Sequence, residues 1–205
     1  MPVIILASAS QSRRRLLAAA GISVTVMASA VDEELEIYLT MPPKEMVLAL
    51  AIVKAHTIRA QIDKPAIIIA CDSTFEFNGR SLGKPGNADI AKERARLLSG
   101  NSGYLHTGHC VIDTEQGREI TEIASTKVTF SEISDVEIED YVASGEPLEV
   151  AGGFTLDGLS SAFISSIEGD FTNVIGLSIP LLRSITTQLG YSWPDLKHPL
   201  IGAER

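Results

Sequence analysis

The run Ala66-Ile67-Ile68-Ile69-Ala70, continued by Cys71 and stopped by Asp72, constrains this chain more than any other segment. Uninterrupted apolar residues, three of them β-branched, suit a strand whose two faces are both covered. Such a strand sits inside a sheet with a layer on either side, which argues for an α/β arrangement rather than a helical bundle. Val3–Ala7 is a second apolar run of the same kind and opens the fold as a buried strand.

The segments between and after these runs alternate in type. A polar turn, Ser8–Ser12, leads into a helix that ends near Gly21, a residue suited to the helix end. Ser23–Met27 reads as a short strand and Val31–Glu36 as an acidic loop. Lys44–Gln61 is a long helix, with Pro42 and Pro43 ahead of it and Met46, Leu50, Val53 and Ile58 on roughly helical spacing. Phe75 and Phe77 alternate with polar residues up to Asn78-Gly79, a hairpin signal. A helix over Ala88–Leu98 precedes two long strands, Tyr104–Asp113 and Glu119–Phe130, joined at Gln116-Gly117. Ser134 and Glu137 form a capping box for a helix ending at Ser144-Gly145. A Gly-rich stretch, Ala151–Gly158, a strand over Phe163–Ile167 and a last helix from Ser178 to Gly190, with Pro180 in its first turn, complete the pattern. Mixed βα units and hairpins predict an α/β fold of mixed α+β character around a mixed sheet. At 205 residues the expectation is one domain of two lobes built from discontinuous pieces, with about 191–205 as a C-terminal tail.

Charge narrows the partners. Lys and Arg number 17 against 26 Asp and Glu, a net charge of −9, so nucleic acid backbones and anionic membranes are repelled and neither is expected to bind. Apolar runs such as Ala66–Cys71 are far too short to span a bilayer, and no basic region precedes a long apolar stretch at the N-terminus. Cys71 and Cys110 sit in apolar segments without CxxC spacing, which suits buried thiols in the cytoplasm.

Several standard sites fail on inspection. Gly79–Pro85 (GRSLGKP) is one residue short of a P-loop, and Pro85 stands where Ser or Thr is required. On a strand, His106 and His109 point to opposite faces, and His106 and Cys110 lie roughly 13 Å apart at about 3.3 Å rise per residue, too far for one zinc ion. Asp72 follows a wholly apolar strand, at the end where open α/β sheets place ligands, and either holds a metal or polarises water there, or caps a turn with Ser73 and Thr74. Arg13, Arg14 and Arg15 are the densest positive charge. With Ser8, Ser10, Ser12 and the following helix N-terminus they make an anion cradle, to which one or two of the three can point. Lys54 on an apolar helical stripe either snorkels or delivers charge to a cleft. Lys84 lies in a Gly-Lys-Pro turn, and Asp32, Glu33 and Glu34 form an acidic loop cluster. Taken together, the lysines, the arginine cluster and the carboxylates at element ends describe a metal-assisted phosphate site.

These residues also fall in the order of a known family. Leu6-Ala-Ser-Ala-Ser10 with Arg13 and Leu16-Leu17 is similar to the opening Leu-Ala-Ser-x-Ser-Pro-Arg-Arg-x-x-Leu-Leu of the Maf (septum-formation inhibitor) nucleoside triphosphate pyrophosphatases. Asp32-Glu33, Lys54-Ala55, Cys71-Asp72-Ser73, Leu82-Gly83-Lys84-Pro85, Leu98-Ser99-Gly100, Ser144-Gly145-Glu146-Pro147, Ala151-Gly152, Gly169-Asp170 and Asn173-Val174 follow in the family's order, to about Leu189. The chain departs from that pattern at Gln11-Ser12 (usually Pro-Arg), Ser73 (commonly Thr), Gly103 (commonly His) and Leu156 (Gln in members preferring pyrimidines), which leaves base preference open. Phe154–Gly158 and His106–Cys110 look like an actinobacterial branch. The resemblance implies an elongated, twisted mixed sheet flanked by helices, a cleft between two lobes and, often, a homodimer. It implies cytoplasmic hydrolysis of a nucleoside triphosphate to monophosphate and pyrophosphate with Mg²⁺ or Mn²⁺. Asp72 would be the general base or would bind the metal, with Glu33 as its acidic partner. Arg13, Lys54 and Lys84 would hold phosphates, and Ser8 and Ser10 would add hydrogen bonds. A non-catalytic nucleotide-binding regulator of cell division and an inosine or xanthosine triphosphate pyrophosphatase are the competing readings.

Overall fold

The computed structural model describes residues 3–197. Its centre is a seven-stranded mixed sheet in the order β2-β1-β3-β5-β6-β7, with β4 paired to β3. The strands are β1 (Val3–Leu6), β2 (Thr25–Val26), β3 (Ala66–Phe77), β4 (Arg80–Leu82), β5 (Ser102–Asp113), β6 (Arg118–Phe130) and β7 (Ile164–Glu168). β1 runs parallel to β2 and β3, and all other pairs are antiparallel.

The apolar run Ala66–Cys71 is buried on both faces. Ile67, Ile69 and Cys71 join Ile4 and Leu6 against α1 (Gln11–Ala19) and α7 (Ile179–Gln188), with Leu17, Leu182 and Ile185 as partners. Ala66, Ile68 and Ala70 join Ile5 and Ala7 on the other face, against Ala51, Ala55 and Ile58 of α3 (Pro43–Arg59). The period-2 alternation of a strand thus sends neighbouring residues into two separate cores. α3 sits close on the sheet because position 108 is glycine: a Cβ there would lie 2.3 Å from the Val47 carbonyl oxygen.

β3, β5 and β6 continue past this region into a third core of Phe75, Phe77, Leu98, Leu105, Val128, Phe130 and Phe154. The Phe154 ring meets Phe75 and Phe130 edge-on, each at 4.9 Å between centroids. α4 (Ala88–Leu98) and α5 (Asp135–Ala143) close this end through Ala91, Ile138 and Val142. The sequence-predicted turn and capping box are present. Asn78 and Gly79 take φ of 50° and 77°, the left-handed pair a two-residue hairpin requires. Ser134 and Glu137 cap α5 reciprocally, and the Ser178 side chain caps α7.

Four expectations are corrected. β3 is one strand of twelve residues, so Asp72 lies within it rather than at its end. β5 pairs with β3 from Ile67 to Glu76 and keeps the strand going. The predicted strand Ser23–Met27 shrinks to Thr25–Val26, because only β1 is beside it and β1 is short. α2 (Glu36–Leu39) and α6 (Phe171–Ile175) are helical turns too short to show periodicity. Of the expected tail, Tyr191, Trp193 and Leu196 pack on the first core, and 198–205 lie outside the described residues. No helix among the described residues is long and apolar enough to cross a membrane.

Candidate active site

The site exists because two neighbouring parallel strands end at different places. β1 stops pairing at Leu6, opposite Ile69, while β3 runs on to Phe77. Between Ile69, where β1 stops, and Phe75, where β4 takes up the same edge, β3 faces a notch instead of a strand. β1 leads to α1 on one face of the sheet and α3 packs on the other, a switch point of the kind that binds ligands in open α/β sheets. A cleft of about 750 Å³ fills the notch, within the range of small-ligand sites. Ser8, Ser10, Arg13, Glu33, Lys54, Asp72 and Lys84 all line it. Every residue singled out as catalytic or substrate-binding is therefore in one place.

Strand alternation assigns the two chemical walls. Asp72 has the parity of Ile68 and Ala70 and faces α3. There Lys54 occupies the sheet-facing stripe with Ala51, Ala55 and Ile58. Its ammonium lies 2.5 Å from Asp72 Oδ1 and 2.6 Å from Glu33 Oε1. The Lys54 and Asp72 side chains are 7% and 9% exposed, whereas Glu33 is 48% exposed, so the first pair is set in the wall and the second stands in solvent. Lys54 does not snorkel outward, and Asp72 does not cap a turn. Each carboxylate spends one oxygen on the ammonium and leaves Asp72 Oδ2 and Glu33 Oε2 without a hydrogen bond among the described residues. No three His, Cys, Asp or Glu side chains among the described residues gather into a metal cluster. Two free carboxylate oxygens are nonetheless the donor set Mg²⁺ commonly takes when substrate phosphates and waters complete its shell. Asp32 instead accepts from the Glu34 amide and is absent from the lining.

Ser73 has the opposite parity and meets α1. The Arg13 guanidinium donates from Nη2 to Ser73 Oγ at 3.0 Å, from Nη1 to Ser8 Oγ at 3.0 Å and from Nε to the Gly176 carbonyl at 2.7 Å. Arg13 thus cross-links the first turn, β3 and the end of α6, with every guanidinium nitrogen in use. Ser10 caps α1 by accepting from the Arg13 amide, and Ser8 Oγ accepts from the Ser10 amide. The α1 N-terminus opens into the cleft with Gln11 and Ser12. Lys84 is exposed on the far wall with no carboxylate partner among the described residues. Its loop is held where the Gly83 carbonyl accepts from the Gly152 amide at 3.2 Å and where the Gly86 amide donates to the Leu148 carbonyl at 3.0 Å.

Sequence reasoning did not assign site roles to Ser73, Ser29, Glu149 or Thr155, all of which line the cleft. Ser73 was legible as the neighbour of Asp72. Glu149 and Thr155 sit in 3₁₀ turns and loops whose placement no local pattern encodes. The histidines rejected as zinc ligands have other partners. His106 bonds Ser125 and Glu76, and burial outweighs the Glu76 carboxylate in lowering its pKa. His109 donates from Nδ1 to the Thr107 carbonyl and accepts the Ser178 amide at Nε2, and burial pushes its pKa down to about 4. Burial likewise pushes Cys71 up to about 11, so it remains a thiol beside Asp72.

Comparison with known proteins identifies the family. The family model described as Maf-like protein matches residues 3–189. A nucleoside triphosphate pyrophosphatase of Streptomyces coelicolor is 48% identical over 198 residues, covering 96% of this chain and 95% of that protein. One from a Synechococcus strain is 47% identical over 195 residues, covering 95% and 98%. The one from Nostoc punctiforme is 47% identical over the same shares. A dITP/XTP pyrophosphatase structure from Mycobacterium abscessus aligns over 90% of this chain and 94% of its own at a TM-score of 0.37 and 11% identity, too distant to decide anything. With the family model matching residues 3–189 and a relative at 48% identity covering nearly the whole of both chains, the chain belongs to the Maf family.

Proposed function

We propose that this protein is a nucleoside triphosphate pyrophosphatase, which adds water across the bond between the α- and β-phosphates and releases a nucleoside monophosphate and pyrophosphate. The observation that carries the reading is the Asp72–Lys54–Glu33 cluster, set in a cleft that also receives a helix N-terminus and Lys84. Relatives so named, 44–48% identical to this chain, support it.

Attack at the α-phosphorus needs a base for the water proton, cations for the charge moved onto the leaving pyrophosphate, and alignment of the two. Asp72 is the base: Lys54 holds Oδ1 and leaves Oδ2 to accept the proton. Lys84 and the α1 N-terminus with Ser8 and Ser10 bind the phosphates. Arg13 holds those serines and Ser73 in place through its backbone amide and its guanidinium. Glu33 Oε2 would hold Mg²⁺ or Mn²⁺ together with the substrate phosphates and water, and the bound cation would supply charge neutralisation of the triphosphate; Asp72 Oδ2 would join that shell only if it were not the base.

The test is pyrophosphate release from common and modified nucleoside triphosphates, with Mg²⁺, Mn²⁺ or chelator, beside Asp72→Asn. Metal-dependent release lost in Asp72→Asn is the expected result. Nucleotide binding without release from any substrate would refute the activity and favour a regulator.

A further inference from the structure

The cleft's own charges cancel, which is unexpected for a site that takes a polyanion. Its lining holds Arg13, Lys54 and Lys84 against Glu33, Asp72 and Glu149. Lys54 is already shared by two carboxylates, and the Arg13 nitrogens each serve a protein acceptor. Lys84 alone is uncommitted among the lining cations of the described residues.

One further guanidinium stands at the rim. Arg15 lies one turn into α1, and a helical side chain leans toward the helix N-terminus, here toward the cleft. Its Nη2 donates to Ser12 Oγ and to Asp157 Oδ2, each at 3.1 Å. Ser12 lines the cleft on the α1 side. Asp157 follows Thr155, which lines the other side and donates to Asp157 Oδ1 at 2.5 Å. One nitrogen therefore fastens Arg15 between the two walls, while Nε and Nη1 have no acceptor among the described residues. Arg14, turned about 100° away on the helix, is exposed and has no polar side-chain contact among the described residues.

We propose that Arg15 binds the terminal phosphate of the triphosphate, with Ser12 and Asp157 holding its guanidinium at the rim so that Nε and Nη1 donate to the phosphate oxygens. This rests on the pyrophosphatase reading. The planar fork suits a phosphate: Asp157 and Ser12 take only Nη2, and Nε and Nη1 stay open at the rim beyond the α1 N-terminus, where the most highly charged end of the substrate would meet them. Arg15 would then favour triphosphates over diphosphates.

The experiment compares wild type, Arg15→Ala, Arg15→Lys and Arg14→Ala for KM, kcat and inhibition by inorganic pyrophosphate. Arg15→Ala should raise KM and weaken pyrophosphate inhibition by about tenfold with kcat within about twofold. Arg15→Lys should recover part of the loss, and Arg14→Ala, which removes the same charge one residue away, should change KM less than about twofold. Equal effects of the two alanine variants would overturn the assignment. So would a changed ranking of bases with pyrophosphate inhibition untouched. If wild type proves inactive, the pyrophosphatase reading fails by itself. Calorimetric titration of inorganic pyrophosphate into wild type and Arg15→Ala then decides the inference, and equal affinities overturn it.

Discussion

Replacing Lys54 by methionine removes the one ammonium that two carboxylates share. The structure sets the size of the effect. Glu33 is 48% exposed, so it returns to water at little cost, no more than about 1 kcal/mol. Asp72, 9% exposed and 2.5 Å from the ammonium, is left as an unpaired charge in the wall. Breaking a buried pair from one side costs about 3 kcal/mol or more. For a chain of this size that is a fall in Tm of about 6–12 °C. Asp72→Asn is milder, because Lys54 keeps Glu33. In Lys54→Met/Asp72→Asn the orphan charge is gone, so the double variant should be about 2 kcal/mol more stable than Lys54→Met alone. Urea unfolding of the four proteins at pH 7 measures the cycle, with pyrophosphate release on the same samples. Activity should be absent from all three variants, including the restabilised double. A Lys54→Met protein within about 1 kcal/mol of wild type, or a double variant no more stable than Lys54→Met, would refute the claim that Lys54 and Asp72 stabilise one another in the wall.

Three further outcomes follow from the geometry. The unfolded chain protonates His109 near 6.5 but the folded one only near 4, so its contribution to stability is full above pH 6.5 and is lost as pH falls towards 4. That loss is about 3 kcal/mol, and it should be missing from His109→Gln when urea midpoints are compared at pH 7.5 and 4.5. Gly108→Ala would place a Cβ 2.3 Å from the Val47 carbonyl oxygen and lift α3 from the sheet. Turnover should fall at least tenfold and stability by about 2 kcal/mol, measured by kcat/KM and thermal unfolding, although residue 108 does not line the cleft. Lys84→Ala should raise KM about tenfold and leave Tm within about 2 °C, since the exposed ammonium has no carboxylate partner among the described residues; a large loss of stability would mean that it does.

Elements with a short-range signature were legible in the sequence. The buried strand, the Asn78-Gly79 turn, the Ser134–Glu137 capping box and the Ser178 cap are each specified by residues within a few positions of one another. The same holds for the charged residues at the cleft, whose motif order carried the family and whose positions the fold then brought together.

Local sequence accounts for the list of elements and the chemistry available to them: two buried strands, their flanking helices, and carboxylates, lysines and hydroxyls at the junctions. The pairing of Asp72 with Lys54, the use of Arg13 on Ser8, Ser73 and Gly176, and the presence of Glu149 and Thr155 in the cleft lining arise only when distant segments pack. The physical reason is the difference in range. Propensity, capping and strand alternation act over a few residues. The notch depends on β1 ending at Leu6 while β5, beyond α4 in the chain, keeps β3 paired as far as Glu76. A hydrogen bond such as Arg13 to Gly176 spans 163 residues, and nothing local to either end encodes it.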